Sequence, residues 1–552
     1  MFCDKTNVNI LTSILLQSGI TDAVVCPGSR NGVIVHNLHE LTRTASPEHP
    51  FRIHAVTDER SAAFVALGIS LAQDLRPVAV CVTSGSALLN TIPAVAEAFY
   101  RQIPLLVISA DRPPQLIGQL DGQTIPQTSA LAPYAKTYTL AEPHTEAEAH
   151  WCRNAACEAC IALKRRGGGP VHLNVPLSEP LFSFTTPRLP SASPVAFYET
   201  EDGAPPAALA SKINEATLPV VIVGQCERKA DILERLDEEN KLLVLPELVS
   251  NQANAHRTAL LESSPELREQ LRPDLLIHVG GNLVGKQLKL ALRQRPTLSV
   301  VRIQQNAGMP DTFMHLDMLV EAPWQNLLAR LRPLLREKTA VCRLRQQLDN
   351  APCAIPAADI QHTAMTAIKR HLQQHRLPLS AIHLANSTVV RSAAAVFNDG
   401  TFTLRVNRGV NGIEGSLSAA AGNALASRKT VLAFIGDLSF FYDQNALWNS
   451  CVGGNLRILL LNNSCGGIFK QLPNLHKSPV ADTFVGASHT TTAQGICAQN
   501  NVEYISAHNA EEMKRGISEL LTRKGNSPVL LEVFTDAAID AETLSRYFRG
   551  CT

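Results

Sequence analysis

Short apolar runs alternate with longer amphipathic stretches along most of the chain. In the first third the runs fall at residues 23–26, 78–82, 105–109 and 171–175, each too short for a helix and each followed by small or turn-forming residues. An apolar run without polar alternation reads as a strand buried on both faces, and strands that alternate with helices read as a parallel sheet covered on both sides. The pattern returns at 220–223, 242–245, 275–279 and 298–303, and again at 381–384, 401–405, 431–435, 456–461 and 529–533. The expectation is an α/β chain built from three doubly wound parallel-sheet domains. No short-period repeat is present, although the first and third blocks are of comparable length.

Between the blocks the pattern breaks. Pro187, Pro190, Pro194, Pro205 and Pro206 follow the first block, and a helical, proline-broken stretch from 324 to 356 precedes the third. These breaks place domains at 1–186, 187–355 and 356–552. A chain of 552 residues, 45% hydrophobic, is too long for one core, so a division into several domains is also the thermodynamic expectation.

Charge narrows the functional class. Lys plus Arg number 50 against 49 Asp plus Glu, with no long run of one sign, which leaves no electrostatic footprint for nucleic acid or a membrane surface. No apolar run reaches the roughly 18–20 residues of a membrane span. Thirteen irregularly spaced cysteines, behind an N-terminus without the features of an export signal, predict reduced thiols and a cytoplasmic location. Cys152, Cys157 and Cys160 reproduce the first three ligands of a plant-type iron–sulfur site. The segment 146–166 nevertheless reads as a helix, on which Cys152 and Cys157 stand about 140° apart, so core thiols are expected instead.

The candidate chemistry sits at strand ends. Gly436-Asp437-Leu438-Ser439 closes one apolar run and Asn462-Asn463 the next, which brings a carboxylate and a carboxamide to the carboxyl ends of two parallel strands, where ligands of open α/β sheets bind. Hard oxygen donors there suit Mg²⁺ bridged to phosphates; the same residues also populate ordinary turns, and spacing alone leaves both readings open. In the first block Cys26-Pro27-Gly28-Ser29-Arg30, Asp58-Glu59-Arg60, Thr83-Ser84-Gly85-Ser86 and Ala110-Asp111-Arg112-Pro113 lie at strand-to-helix crossings. Arg30 and Arg112 offer bidentate sites for carboxylates. Glu59 opens a small, apolar helix that is expected to bury its start. In the third block the polar or glycine-rich corners are Asn386-Ser387 with Arg391, the run from Asn407-Arg408-Gly409 to Ile413-Glu414-Gly415, and Gly466-Gly467-Ile468-Phe469. The central block has Gly224-Gln225 and Gly280-Gly281-Asn282 but lacks the G-x-G-x-x-G of a dinucleotide site.

Taken together, the Gly-Asp, the Asn-Asn and the first-domain glutamate resemble the thiamine-diphosphate enzymes. Pro27-Gly28-Ser29-Arg30, Ala110-Asp111-Arg112-Pro113, Gln123-Thr124-Ile125, Asn407-Arg408-Gly409 and Gly466-Gly467-Ile468-Phe469 resemble, within them, the 2-succinyl-5-enolpyruvyl-6-hydroxy-3-cyclohexene-1-carboxylate synthases of menaquinone biosynthesis, over nearly the whole chain. The resemblance implies a pyrimidine-binding domain, a central domain and a diphosphate-binding domain. It implies a transferase that decarboxylates 2-oxoglutarate and adds the succinyl unit to isochorismate, with thiamine diphosphate and Mg²⁺ or Mn²⁺. By the same resemblance Glu59 is catalytic, bonded to N1′ of the aminopyrimidine. The cofactor would be held by Glu59, Ser84, Ser387, Ile413, Gly436, Asp437, Leu438, Ser439, Asn463, Ile468 and Phe469. The metal would be held by Asp437, Asn463 and the main chain of Cys465. Substrates would meet Ser29, Arg30, Arg112, Gln123, Lys286, Asn386, Ser387, Arg391 and Arg408. Active sites between the subunits of a homodimer or homotetramer are implied too. Glu414, where the family usually has Asp, and Ser464-Cys465 after Asn-Asn depart from the pattern.

Overall fold

The computed structural model describes residues 1–44, 50–190, 195, 205–306, 308–352, 360–449, 452–472 and 474–549. Pro194, Pro356 and the 355/356 boundary lie outside them. The chain forms three wholly parallel sheets. The first contains β1 (Asp22–Val25), β2 (Arg52–Ala55), β3 (Val78–Val82), β4 (Leu105–Asp111), β5 (Lys136–Thr139) and β6 (Val171–Pro176), in the order β2-β1-β3-β4-β6-β5. The second contains β7 (Pro219–Val223), β8 (Leu243–Pro246), β9 (Leu275–Val279), β10 (Ser299–Gln304) and β11 (Leu316–Glu321), ordered β11-β10-β9-β7-β8. The third contains β12 (Leu379–Leu384), β13 (Leu404–Val406), β14 (Thr430–Gly436), β15 (Leu456–Asn462), β16 (Glu503–Ala507) and β17 (Val529–Phe534), ordered β13-β12-β14-β15-β17-β16.

Counted from each domain's own first strand, the first and third sheets have the same order. This is a repeat of topology that no sequence period announces. The central strands are the ones their apolar runs predict, because both faces are covered. In β1, for example, Ala23 and Val25 enter one core cluster while Val24 enters another on the opposite face. The strands that no apolar run marked, β2, β5, β11 and β16, all lie at sheet edges and are partly solvent-exposed. An edge strand has water beside it, so its side chains alternate or turn polar.

The helix Glu59–Ala72 follows β2, and its topological counterpart Ser416–Ala426 follows β13. The two pack backbone against backbone: a Cβ at Gly68 would lie 2.1 Å from the Ala419 carbonyl oxygen, and one at Gly422 2.1 Å from that of Val65. Runs of alanine and glycine on both helices permit this approach, and it clamps the first domain to the third. In the central domain, a Cβ at Gly224 would fall 2.0 Å from the Gly281 carbonyl oxygen, so these glycines let two turns touch each other.

Cys152, Cys157 and Cys160 are buried, unbridged thiols on the helix Glu146–Ala162. That helix starts at a Thr145–Glu148 capping box and ends before the expected 166, where Arg166 turns left-handed at φ 52°. No helix among the described residues is long and apolar enough to cross a membrane.

Candidate active site

In the third sheet the strand order reverses between β12 and β14, which lie side by side, and a doubly wound sheet opens its crevice at such a point. Asn386 and Ser387 follow β12, Asp437 follows β14 and Asn463 follows β15, so the predicted polar corners converge there. Asp437 is 4% exposed; its two oxygens accept the Leu438 N–H at 2.7 Å and the Cys465 N–H at 3.1 Å. Burial pushes its carboxyl above the usual range, a tendency that a bound cation would oppose. Asn463 donates its amide N–H to Asp540 at 3.1 Å, which leaves its carbonyl oxygen on the other side, 3.9 Å from the Cys465 thiol. One carboxylate, one carboxamide oxygen and one backbone carbonyl make a hard-oxygen set that fits a divalent ion completed by phosphates. Ser464 at φ 61° and Ser387 at φ 69° hold left-handed backbone at the crevice rim, the strain expected where function over-determines a loop.

The loop 407–412 closes one side. Asn386 donates to the carbonyls of Asn407 at 2.7 Å and Gly412 at 2.8 Å, so both its N–H groups hold this loop. Its oxygen accepts from Arg408 at 3.3 Å. Arg408 is 7% exposed, reaches the Leu283 carbonyl at 3.3 Å, and has a buried Nε without a partner among the described residues. Burial and the nearby Arg391 charge push its pKa down to about 10, so it stays cationic at neutral pH. Arg391 donates to the Ser387 carbonyl at 2.7 Å. The Ile413 carbonyl accepts from Ser439, and its side chain is 40% exposed.

Beside this corner a cavity of about 440 Å³ opens between the central and third domains, lined by Lys286, Arg391, Ile468, Phe469, Glu247 and Glu262 among others. Two buried carboxylates shape the Lys286 turn. Glu247 accepts the Gly285 N–H at 3.0 Å, and Glu262 accepts the N–H groups of Lys286, Gln287 and Leu288 at 3.1, 3.0 and 2.7 Å. Burial, then the Glu262 charge, push the Glu247 carboxyl up to about 7.

In the first domain the outcome is mixed. Asp58 caps the helix, accepting the Arg60 N–H at 3.0 Å, but Glu59 itself is half-buried instead of enclosed and accepts from Asn90 at 3.0 Å. The buried stretch begins only at Ser61. Ser84 is buried, whereas Ser29 and Gln123 are exposed. Arg30 is 7% exposed and donates to the Leu177 carbonyl at 2.8 Å and to Glu179 at 2.9 Å; Glu179 is mostly solvent-exposed and can swing away. Arg112 follows β4 into a one-turn 3₁₀ segment, not an α-helix, and its Nε is buried without a partner among the described residues. The first and third domains touch here: Arg60 donates to the Tyr442 carbonyl at 2.8 Å, and Asn445 to Asp58 at 3.0 Å.

Several residues at the site had no sequence signal. His489 lies 3.3 Å from an Asp437 oxygen on a loop without any motif. Asp540, Asn90, Glu247 and Glu262 act through partners far away in sequence, which spacing does not reveal.

Comparison with known proteins gives these corners a family. Residues 5–131 match the model described as thiamine pyrophosphate enzyme, N-terminal TPP binding domain, and residues 388–533 the corresponding C-terminal TPP binding domain. The chain is 38% identical to a 2-succinyl-5-enolpyruvyl-6-hydroxy-3-cyclohexene-1-carboxylate synthase of Phocaeicola vulgatus, over 100% of this chain and 99% of that protein. The chain belongs to this synthase family. Synthases of the same name from Desulfotalea psychrophila and Flavobacterium psychrophilum are 35% and 32% identical, over 96% and 98% of this chain and 98% of each of those proteins. The cofactor of a synthase of this family is thiamine diphosphate, and the two matched domains are the two whose sheets share one strand order.

Proposed function

We propose that this synthase decarboxylates 2-oxoglutarate and joins the succinyl unit to isochorismate, giving 2-succinyl-5-enolpyruvyl-6-hydroxy-3-cyclohexene-1-carboxylate and CO₂, as a cytoplasmic step of menaquinone biosynthesis. The observation that carries the reading is the cavity beside the Asp437 crevice, with Lys286 and Arg391 in its wall and the buried Arg408 close to the lining residues Arg391 and Glu247. Both substrates are dianions, and buried guanidinium groups with unused N–H capacity favour carboxylate ligands. Pyruvate, with one carboxylate, would leave part of that capacity unmatched.

Thiamine diphosphate, when bound, supplies the electron sink for losing CO₂ and forming the new carbon–carbon bond. The residues of the chain orient, neutralise and move protons. Asp437, the Asn463 side chain and the Cys465 carbonyl would hold Mg²⁺ or Mn²⁺ against the diphosphate, beside Gly436, Leu438 and Ser439. Ile413, whose carbonyl is tied to Ser439, would support the bend of the cofactor, with Ile468, Phe469 and Ser387 around it. Glu59 would exchange a proton with N1′ of the aminopyrimidine, with Ser84 nearby. Arg408, Arg391, Ser387, Asn386 and Lys286 would take the carboxylates on the diphosphate side. Ser29, Arg30, Arg112 and Gln123 would meet isochorismate, once Glu179 releases Arg30.

We also assign the domains to 1–186, 187–355 and 356–552, and the active unit to a homodimer or a homotetramer with sites between subunits. Half-buried Glu59 and exposed Ser29 and Gln123, alongside exposed Tyr442 and Trp448, support a second chain completing the site. The test is CO₂ release from 2-oxoglutarate against pyruvate, with thiamine diphosphate, Mg²⁺ and isochorismate. Turnover of 2-oxoglutarate with loss of isochorismate is expected. A preference for pyruvate would overturn the assignment.

A further inference from the structure

The loop carrying Arg408 is held from outside its own domain. Glu97, 0% exposed on the first-domain helix Ile92–Arg101, accepts the Gly409 N–H at 2.9 Å on one oxygen and the Val410 N–H at 2.9 Å on the other. One turn on, Arg101 lies 3.4 Å from Glu97 and also donates to Asn407 at 3.1 Å and to central-domain Glu227 at 2.6 Å. Arg405 pairs with the same Glu227. Gly409 leaves room for this clamp, since a Cβ there would sit 2.8 Å from a Glu97 carboxylate oxygen and 2.9 Å from the Glu97 carbonyl oxygen. From the other side, Asn282 donates to the carbonyls of Arg408 and Gly409.

We propose that Glu97 is a positioning residue for substrate binding: its bidentate grip on the Gly409 and Val410 amides fixes the backbone that aims Arg408. The first domain thereby sets the geometry of an arginine in the third, 311 positions away. The kinetic consequence rests on reading Arg408 as a contact of 2-oxoglutarate. A carboxylate suits this role because both oxygens accept, whereas a carboxamide would turn an N–H₂ toward one of the two amides. A purely structural ion pair with Arg101 would need neither loop contact.

The test is Glu97→Gln, with Gly409→Ala as a second variant that keeps every charged group and crowds the loop against Glu97. Amide hydrogen exchange over 407–412 is expected to speed up in both, and the KM for 2-oxoglutarate to rise by about 10- to 100-fold, the loss of one charge-assisted hydrogen bond, with kcat much less affected. Thiamine diphosphate binding, followed by fluorescence quenching, should stay near wild type. Unaltered exchange at Gly409 and Val410 in Glu97→Gln would overturn the proposal. Faster exchange with an unchanged KM for 2-oxoglutarate supports the grip and overturns the reading of Arg408. If Glu97→Gln does not fold, Gly409→Ala decides, and unchanged exchange and KM in it overturn the proposal.

Discussion

Gly422→Ala tests the joint between the first and third domains of the chain. The new methyl would stand 2.1 Å from the Val65 carbonyl oxygen and 2.9 Å from its carbon, and ordinary contact begins near 3.4 Å. The obstacle is backbone inside a helix, so no side chain can swing aside, and the helices must part by roughly 1 Å. Overpacking of this kind costs about 1–3 kcal/mol, against which the better helix propensity of alanine returns up to about 1 kcal/mol. A net loss of about 1–2 kcal/mol corresponds to a fall in Tm of roughly 2–8 °C for domains of 150–250 residues. The effect on turnover should be larger. Glu59 opens one of these helices and Ile413 lies just before the other, so the same displacement shifts both residues within the chain and, with them, the part that each contributes to an inter-subunit site. A shift of about 1 Å can cost on the order of 10²-fold in rate. Gly495→Ala is the control: it sits in the helix Gln494–Gln499 with nothing within 4 Å of its Cβ position, and should be neutral or slightly stabilising. Thermal melts followed by calorimetry, together with CO₂ release, measure both quantities. A Gly422→Ala protein as stable and as active as wild type would show that the close approach of these helices does not set the site.

Other perturbations separate the remaining roles. Glu59→Gln should lower turnover by about 10²- to 10⁴-fold while thiamine diphosphate still binds, as judged by equilibrium titration; undiminished turnover would remove Glu59 from proton transfer. Mixing inactive Glu59→Gln and Asp437→Asn proteins should restore activity through hybrid sites free of both changes if sites lie between subunits. A single-chain site would stay silent in that mixture. Glu247 supplies a pH signature: with its carboxyl raised from 4.5 to about 7, the native state binds the extra proton between those values. Stability should therefore fall as pH rises through that window and level off above it. Relative to Glu247→Gln, the loss should approach about 3 kcal/mol in urea melts between pH 4.5 and 8. Parallel pH dependence in the two proteins would refute the buried-acid reading.

Sequence and structure contributed differently to this picture. The interior strands were legible because burial on both faces demands mostly apolar runs, and Asp437, Asn463 and Ser387 were legible because strand ends in such sheets face a common crevice. Edge strands β2, β5, β11 and β16 were not, since solvent on one side relaxes that demand. The half-burial of Glu59 was not legible either, since local composition reports how apolar a helix is and not what lies against its first residue. Residue types thus named the candidate chemistry by themselves, down to the acid, the amide and the arginines. Only the tertiary structure decided which of them are held, and by what. Glu97 under Gly409, Glu247 and Glu262 under Lys286, Glu179 on Arg30 and His489 beside Asp437 join residues tens to hundreds of positions apart. Such hydrogen bonds leave no local pattern, because their geometry is fixed by how separately folded domains and loops pack.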